Sequence, residues 1–163
     1  TVLNIFVKKG FKILPPNKIS KSFFFDASEL SKNICINDKN DLDKSINLLN
    51  DLSKYDNAQS IVSINGYIIA IEAAEGTDNM LLRVASVRKQ LNQIKTRAGL
   101  LVKIPKKNQS KLVDLPVIGL KTLKLVKKAN LNGIAINPKL TIIDDKEKFL
   151  EFALTHALKI YKI

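Results

Sequence analysis

The sequence predicts an α/β domain with a mixed sheet flanked by helices in a layered sandwich, and three observations support this. Apolar segments short enough for strands alternate with segments in which apolar residues recur at helical spacing. An Asn-Gly pair separates two of the strand-like segments, which is typical of an antiparallel hairpin. The apolar fraction of 45% in 163 residues is sufficient for a hydrophobic core.

The strongest local signals lie between residues 61 and 78. Residues 61–64 and 67–71 flank Asn65-Gly66, a signal for a two-residue hairpin turn. The second segment is almost continuously apolar, which predicts a strand buried on both faces. Acidic residues, a glycine and a threonine follow at once, where a helix is predicted to begin: Glu72, Glu75, Gly76, Thr77 and Asp78. The predicted apolar face of that helix comprises Leu81, Val84, Val87, Leu91 and Ile94.

The remaining elements follow from the same periodicities and from capping, glycine and proline signals. Before the hairpin, the sequence predicts a helix at 2–9 ended by Gly10, a short strand at 11–14, a linker at 17–40 with a helical piece at 27–32, and a helix at 41–52 capped by Asp41. After the hairpin, it predicts strands at 99–104, 133–136, 140–143 and 160–163, and helices at 119–130 and after Asp144 or Asp145.

Composition excludes several functional classes. The formal net charge is +12, but 24 of the 27 basic residues are lysine and there is no tryptophan. Nucleic-acid sites usually combine arginine with stacking aromatics, so no nucleic-acid partner is predicted, although anionic partners remain favoured. One cysteine and one histidine leave no internal disulfide and no two-histidine metal site, and they fit a cytoplasmic location. No apolar run is long enough to span a bilayer, and no secretory signal is visible.

Polar side chains collect at the predicted ends of strands. They are Asp56, Gln59, Glu72, Glu75, Thr77, Asp78, Lys103, Lys106, Gln109 and Asp114. Carboxylates with lysines, without histidine or cysteine, suit a hard cation such as Mg²⁺ that bridges phosphates. A purely structural interpretation stays open, because Thr77 or Asp78 can cap a helix. Asp114 can likewise form a turn before Leu-Pro, and Glu72 can be the buried partner of a lysine.

Many of these positions fall within longer matches to one family. The matching segments are Asp56, Gln59-Ser60, AIEAAEGTD at 70–78 with Met80-Leu81 and Arg83, LVKIPK at 101–106, Gln109, DLPVIG at 114–119 with Thr122, and ANLNGIA at 129–135. Over about residues 50–145 the sequence resembles the C-terminal domain of the I-type UDP-2,3-diacylglucosamine pyrophosphatases of lipid A biosynthesis. Residues 1–40 resemble only the tail of that family's Rossmann-like N-terminal domain. The resemblance therefore implies a remnant of that domain with a linker at 1–40 and a catalytic α/β domain at 41–163.

The resemblance implies a hydrolase that splits the pyrophosphate of UDP-2,3-diacylglucosamine into 2,3-diacylglucosamine 1-phosphate and UMP, with Mg²⁺ or Mn²⁺ as cofactor and water attacking the α-phosphorus. The implied catalytic and metal-binding residues are Asp114, Glu75 and Asp78. The implied substrate-binding residues are Thr77, Lys103, Lys106, Gln109, Gln59 and Arg83. The implied partners are the lipid substrate, a separately encoded N-terminal domain and further copies in a homo-oligomer. Membrane contact is expected to be at most peripheral, at the inner membrane.

The sequence departs from the pattern of the family at three positions. Ala58 stands where the family has glycine, Ser110 where it has aspartate, and Leu112 where it has arginine. Loss of an acid and an arginine from one loop weakens phosphate and metal binding if those side chains act directly. A second interpretation is therefore an inactive or split-gene remnant that binds nucleotide or acyl sugar phosphate without turnover.

Overall fold

A five-stranded mixed sheet forms the centre of the molecule. The structure, a computed structural model, describes residues 2–55, 57–93, 95–105 and 115–163. The strands of this part are β1 (Ser60–Ile64), β2 (Tyr67–Ile71), β3 (Leu100–Lys103), β4 (Val117–Ile118), β5 (Gly133–Ile136), β6 (Ile142–Ile143) and β7 (Lys159–Lys162). Its α-helices are α1 (Val2–Lys8), α2 (Pro16–Ile19), α3 (Ile36–Leu52), α4 (Gly76–Gln90), α5 (Leu120–Lys128) and α6 (Lys146–Thr155).

The main sheet has the strand order β2-β1-β3-β5-β7. β1 pairs antiparallel with both β2 and β3, whereas β3, β5 and β7 are parallel. Helix α5 lies between β3 and β5 in the chain, and α6 lies between β5 and β7, so each parallel pair is joined by a helical crossover. β4 and β6 form a separate parallel pair. The predicted α/β fold with a mixed sheet is confirmed.

Helices cover both faces of the sheet, which gives three layers. On one face, Val62, Leu101 and Ile134 pack in a core with side chains of α4, α5 and α6. On the other face, the alternate residues Ile61 and Val102 pack against α3. Successive side chains of a strand point to opposite faces, so a strand covered on both sides is apolar throughout. This explains the continuous apolar runs in the sequence.

The predicted hairpin is present, but its second strand is less buried than expected. Asn65 and Gly66 adopt positive φ angles of 50° and 82°, as the favoured two-residue hairpin turn requires. β1 is buried along its whole length. In β2, by contrast, only Ala70 is buried, both end residues are exposed, and Tyr67 is 73% exposed. The prediction of burial on both faces is wrong for β2 because this strand lies at the edge of the sheet, where fewer elements pack against it.

Helix α3 begins at Ile36 rather than at residue 41. Its N-cap is Cys35, whose Sγ accepts a hydrogen bond from the Asp38 N–H at 3.5 Å. Asp41 is fully buried within the helix and accepts hydrogen bonds from the backbone N–H groups of Asn65 (2.9 Å) and Gly66 (2.6 Å). The predicted capping role of Asp41 is therefore wrong. Its carboxylate instead holds the hairpin turn. The residue pattern around Asp41 could not indicate this role, because the turn lies far away in the sequence.

Other elements agree in part with the sequence prediction. Residues 11–14 form no strand, because so short a segment is stable as a strand only beside a partner. Helix α4 ends at Gln90, so Leu91 is exposed rather than buried, and Ile94 lies outside the described residues. The buried residues of α4 are Met80, Leu81, Val84, Ala85 and Arg88. The predicted cap Asp145 is confirmed at the start of α6, whereas β4 was not predicted.

Candidate active site

Three strand ends meet at one edge of the main sheet. β1 runs opposite to β2 and β3, so the start of β1 lies beside the ends of the other two. Ser60 is paired with Lys103 in the sheet, and the Ser60 carbonyl accepts a hydrogen bond from the Glu72 N–H at 2.9 Å. We call this region the polar edge, after the linked side chains of Ser60, Glu72, Thr77, Asp78, Lys103 and Thr122.

Lys103 occupies the centre of the polar edge although it is only 5% exposed. Its Nζ donates hydrogen bonds to Thr77 Oγ1 at 2.7 Å and to Ser60 Oγ at 3.2 Å, and it lies 3.8 Å from Glu72 Oε2. The Thr77 hydroxyl in turn donates to Glu72 Oε1 at 3.0 Å. A hydroxyl carries one proton, so in this arrangement Thr77 directs that proton to Glu72. Glu72 is therefore the partner of a buried lysine.

Burial determines the electrostatics of this group. Desolvation lowers the pKa of Lys103, and the negative charges of Glu72 and Asp78 oppose that shift. Glu72 Oε2 is buried and has no hydrogen-bond partner among the described residues. A buried ion pair adds little stability compared with apolar residues of similar volume. The position of the Lys103–Glu72 pair at the end of a strand is instead typical of a functional site.

The N-termini of two helices also face this region. Helix α4 begins at Gly76, whose φ of 75° suits glycine, and α5 begins directly after Gly119. Asp78, in the first turn of α4, accepts a hydrogen bond from Thr122 Oγ1 in α5 at 2.8 Å, and its other oxygen lies 3.1 Å from Lys121 Nζ. No side chain caps α4, so the capping interpretation of Thr77 and Asp78 is not supported. Free N–H groups at two helix starts attract an anion.

Glu75 lies beside the start of α4 and is bound to an arginine. Arg83 Nη2 contacts Glu75 Oε1 at 2.6 Å and also donates to the Ile71 carbonyl at 3.3 Å. The hydrogen bond from Arg83 is the main reason why the pKa of Glu75 is lowered. The other carboxylate oxygen accepts from the Ala73 N–H at 3.2 Å. Arg83 and Glu75 therefore form a local pair next to the polar edge.

The structure brings together some of the predicted site residues. Thr77, Asp78 and Lys103 meet at the polar edge, and Glu75 and Arg83 lie beside it. Gln59 accepts a backbone hydrogen bond from the Ile104 N–H at 3.0 Å, and its side-chain Oε1 is buried without a partner among the described residues. The predicted residues Asp56, Lys106, Gln109 and Asp114 lie outside the described residues.

Two residues of the site were not given a role from the sequence. Ser60 binds Lys103 only because of the register between β1 and β3, which the sequence does not reveal. Lys121 pairs with Asp78 because α4 and α5 pack side by side. The signal that could have indicated Lys121 is its position beside Thr122, within the helix that follows the matched Asp-Leu-Pro segment.

The predicted metal-binding set is not completed by the described residues. In the described ranges, no three His, Cys, Asp or Glu side chains lie close enough together to hold an ion. Asp78 is partly exposed and offers the oxygen ligands that Mg²⁺ prefers, but Glu75 is held by Arg83. Asp78 thus fits such an ion as one ligand. The other predicted ligand, Asp114, lies outside the described residues.

A cavity with a volume of about 810 Å³ lies at the opposite edge of the sheet. Three of the four charged side chains in its lining, those of Asp38, Arg88 and Arg97, already have partners. Arg88 donates to four backbone carbonyls at 2.6–3.0 Å, and Arg97 donates to two more near the end of α6. Asp38 accepts from the Asn132 side chain and from the Tyr161 hydroxyl. We therefore assign the candidate site to the polar edge and not to this cavity.

Comparison with known proteins agrees with the resemblance seen in the sequence. Residues 28–161 match the family model described as the LpxI C-terminal domain. A similar protein is the UDP-2,3-diacylglucosamine pyrophosphatase LpxI of Caulobacter vibrioides, which is 32% identical over 154 residues. The match covers 93% of this chain and 55% of that protein. The chain thus spans about half the length of the relative.

No helix in the described ranges is long and apolar enough to cross a membrane.

Proposed function

Because this chain belongs to the LpxI C-terminal domain family, we propose that it carries the phosphate-binding and catalytic part of a UDP-2,3-diacylglucosamine pyrophosphatase of lipid A biosynthesis. The products would be 2,3-diacylglucosamine 1-phosphate and UMP. The observation that supports this most is the polar edge, where Thr77, Asp78 and Lys103 lie together at the starts of two helices. A diphosphate is the kind of group that such an arrangement attracts.

In the proposed reaction, water attacks the α-phosphorus of the substrate. The bond between that phosphorus and the bridging oxygen breaks, so UMP gains the hydroxyl of water and the sugar phosphate leaves with the bridging oxygen. The N–H groups at the starts of α4 and α5 would bind phosphate oxygens, and Lys103 would place positive charge beside them. Asp114 is the proposed group that orients or deprotonates the water. Lys106, Gln109, Gln59 and Arg83 are proposed as further substrate contacts.

We propose Mg²⁺ or Mn²⁺ as the cofactor, held by Asp78 and Asp114 with Glu75 as a third ligand. The ion would neutralise charge on the phosphate oxygens during the attack. Asp78 supports this proposal because it is partly exposed at the polar edge. Glu75 would have to exchange its contact with Arg83 for the ion, since that contact is only 2.6 Å long.

A second candidate function is binding without turnover. One observation favours it: among the described residues, each acidic group at the site has a cationic partner. The pairs are Glu72 with Lys103, Glu75 with Arg83, and Asp78 with Lys121. Carboxylates that are already neutralised bind a metal ion less readily. In this case the chain would retain nucleotide or acyl sugar phosphate at the polar edge without hydrolysing it.

We also propose that the active protein includes a second part, which corresponds to the portion of the relative that this chain does not cover. Large apolar side chains near the start of the chain are exposed and would suit such a partner: Ile5, Phe6, Val7, Phe11, Leu14, Ile19 and Phe23. Exposed apolar groups in this density are typical of an interface. A homo-oligomer, a cytoplasmic location and peripheral contact with the inner membrane remain part of the proposal, and no nucleic-acid partner is expected.

Release of UMP from UDP-2,3-diacylglucosamine tests the proposed function. The assay uses the chain alone and the chain supplied with the uncovered part of the Caulobacter relative, each with Mg²⁺ and with chelator. We expect metal-dependent release of UMP that falls at least 100-fold in Asp114→Ala, about the effect of removing one catalytic acid or base. Asp51→Ala, at an exposed position in α3, is the matched control.

Full activity in Asp114→Ala would overturn the role proposed for Asp114. The absence of UMP release under every condition while UMP still binds would overturn the proposed hydrolase and support binding without turnover.

A further inference from the structure

The outer face of helix α5 carries only positive charge. The helix has the sequence LKTLKLVKK and contains four lysines and no acidic residue. Thr122, Leu123 and Val126 are buried against the core. The four lysines are exposed and form what we call the α5 lysine face: Lys121, Lys124, Lys127 and Lys128.

Few of these charges are neutralised by the protein itself. Lys121 pairs with Asp78, and Lys127 Nζ lies 3.2 Å from the His156 ring. Among the described residues, no ion pair involves Lys124 or Lys128. Other charged elements differ, since α6 mixes its lysines with Glu147 and Glu151.

A shallow groove with both apolar and charged walls adjoins the α5 lysine face. It has a volume of about 270 Å³ and lies between α5 and α6, where Leu120 and Phe152 contribute apolar walls. Lys124 and Lys148 also line it, together with the single acid Glu151. Lys127 Nζ is 5.8 Å from the centre of the Phe152 ring. Lysines around a shallow groove with two apolar side chains suit contact with lipid headgroups and the first part of acyl chains.

The lysine face is continuous with the candidate site. Lys121 belongs to the face and contacts Asp78 at 3.1 Å, and the next residue, Thr122, donates a hydrogen bond to the same carboxylate. A surface bound by α5 would therefore lie next to the polar edge. The closeness of the two surfaces matters for the proposed function, because a substrate with two acyl chains resides in a membrane.

We propose that the α5 lysine face docks the protein on an anionic phospholipid surface and thereby presents the polar edge to the bilayer, an inference that rests on the proposed function. Clustered lysines attract anionic lipids, and each strengthens binding about fivefold at moderate salt. Nucleic acid is a weaker match to this surface, because α5 has no aromatic side chain on which bases could stack.

Vesicle sedimentation with the whole chain tests this proposal. The probes are vesicles of equimolar phosphatidylcholine and phosphatidylglycerol, and vesicles of phosphatidylcholine alone. The test variant is Lys124→Gln/Lys127→Gln/Lys128→Gln, which leaves Lys121 and the site intact. The control is Lys32→Gln/Lys54→Gln/Lys139→Gln, which removes the same charge from exposed positions elsewhere. Thermal unfolding checks that both variants remain folded.

We expect the wild type to bind only the anionic vesicles, and less tightly as salt increases. The test variant should bind about 100-fold more weakly, as three contributions of about fivefold predict, and the control should bind like the wild type. Equal loss in both variants, or no binding by the wild type, would overturn the proposal. Loss of duplex DNA binding in the test variant with vesicle binding unchanged would also overturn it, in favour of a nucleic-acid surface.

A second readout separates this inference from the proposed function. Release of UMP from substrate dissolved in neutral detergent micelles should be the same in the wild type and the test variant, because no membrane has to be reached. If the wild type released no UMP yet bound anionic vesicles through α5, the proposed reaction would fail and the docking surface would stand. If the wild type released UMP but did not bind anionic vesicles through α5, the proposed reaction would stand and the docking surface would be ruled out.

Discussion

Lys103 is the residue on which the candidate site depends most. It is buried, it donates to two hydroxyls, and it lies 3.8 Å from the buried carboxylate of Glu72. The sequence predicted Lys103 as a site residue, and it left Glu72 open between a site residue and a lysine partner. Their pairing could not be predicted, because it follows from the register that places Ser60 opposite Lys103. Thr77 and Asp78 were predictable because they follow a strand within one short motif.

Lys103→Met is expected to lower the free energy of unfolding by about 3 kcal/mol, because it leaves the carboxylate of Glu72 buried without its cation. The double variant Lys103→Met/Glu72→Gln should lose less than the sum of the two single variants, since the uncompensated charge is then absent. Urea denaturation measures all three. Lys124→Met, at an exposed position, is the control and should change stability by less than about 0.5 kcal/mol. A loss in Lys103→Met no greater than in this control would contradict the prediction.

The stability difference between the wild type and Lys103→Met is also expected to depend on alkaline pH. Burial lowers the pKa of Lys103 in the folded protein below its usual 10.5. Between these two pKa values the unfolded chain binds more protons, so the free energy of unfolding of the wild type rises with pH relative to the variant. The other lysines are present in both proteins, so their contributions to the stability difference cancel. Urea denaturation of both proteins from neutral pH to pH 10.5 measures this, and a constant difference would contradict it.

At the scale of elements, the contact between α3 and the hairpin positions β1. Asp41 binds both N–H groups of the turn, and Ser45 Oγ lies 2.8 Å from Ser63 Oγ. The sequence predicted the hairpin correctly because an Asn-Gly turn is a local signal. It did not predict that Asp41 holds the turn, or that β2 is an exposed edge strand, because both depend on which elements become neighbours.

Asp41→Ala is expected to lower the free energy of unfolding by about 2 kcal/mol, because two partly buried N–H groups at 2.9 Å and 2.6 Å lose their charged acceptor. Asp43→Ala is the matched control in the same helix. It removes only an exposed pair with Lys39 and should cost less than about 0.5 kcal/mol. Hydrogen exchange at Asn65 and Gly66 should accelerate in Asp41→Ala alone. Unchanged exchange at both amides would show that Asp41 does not hold the turn.

At the scale of the whole molecule, the sequence predicted the α/β class and most of the elements. Periodicity identifies strands and helices, but it does not state which strand ends share an edge. That arrangement brings Ser60, Glu72 and Lys103 together from three segments. The cavity at the other edge was not predicted, because its lining comes from segments that are distant in the sequence. The remnant of an N-terminal domain stays a prediction.

We propose that the polar edge, and not the cavity at the opposite edge of the sheet, binds the phosphate of the substrate. Amide chemical shifts of the whole chain during titration with UMP and Mg²⁺ test it most directly. We predict that the largest changes occur at Ser60, Glu72, Thr77 and Lys103 and in the first turn of α5. Changes confined to the opposite edge, around Asn65 and Arg88, would contradict the claim.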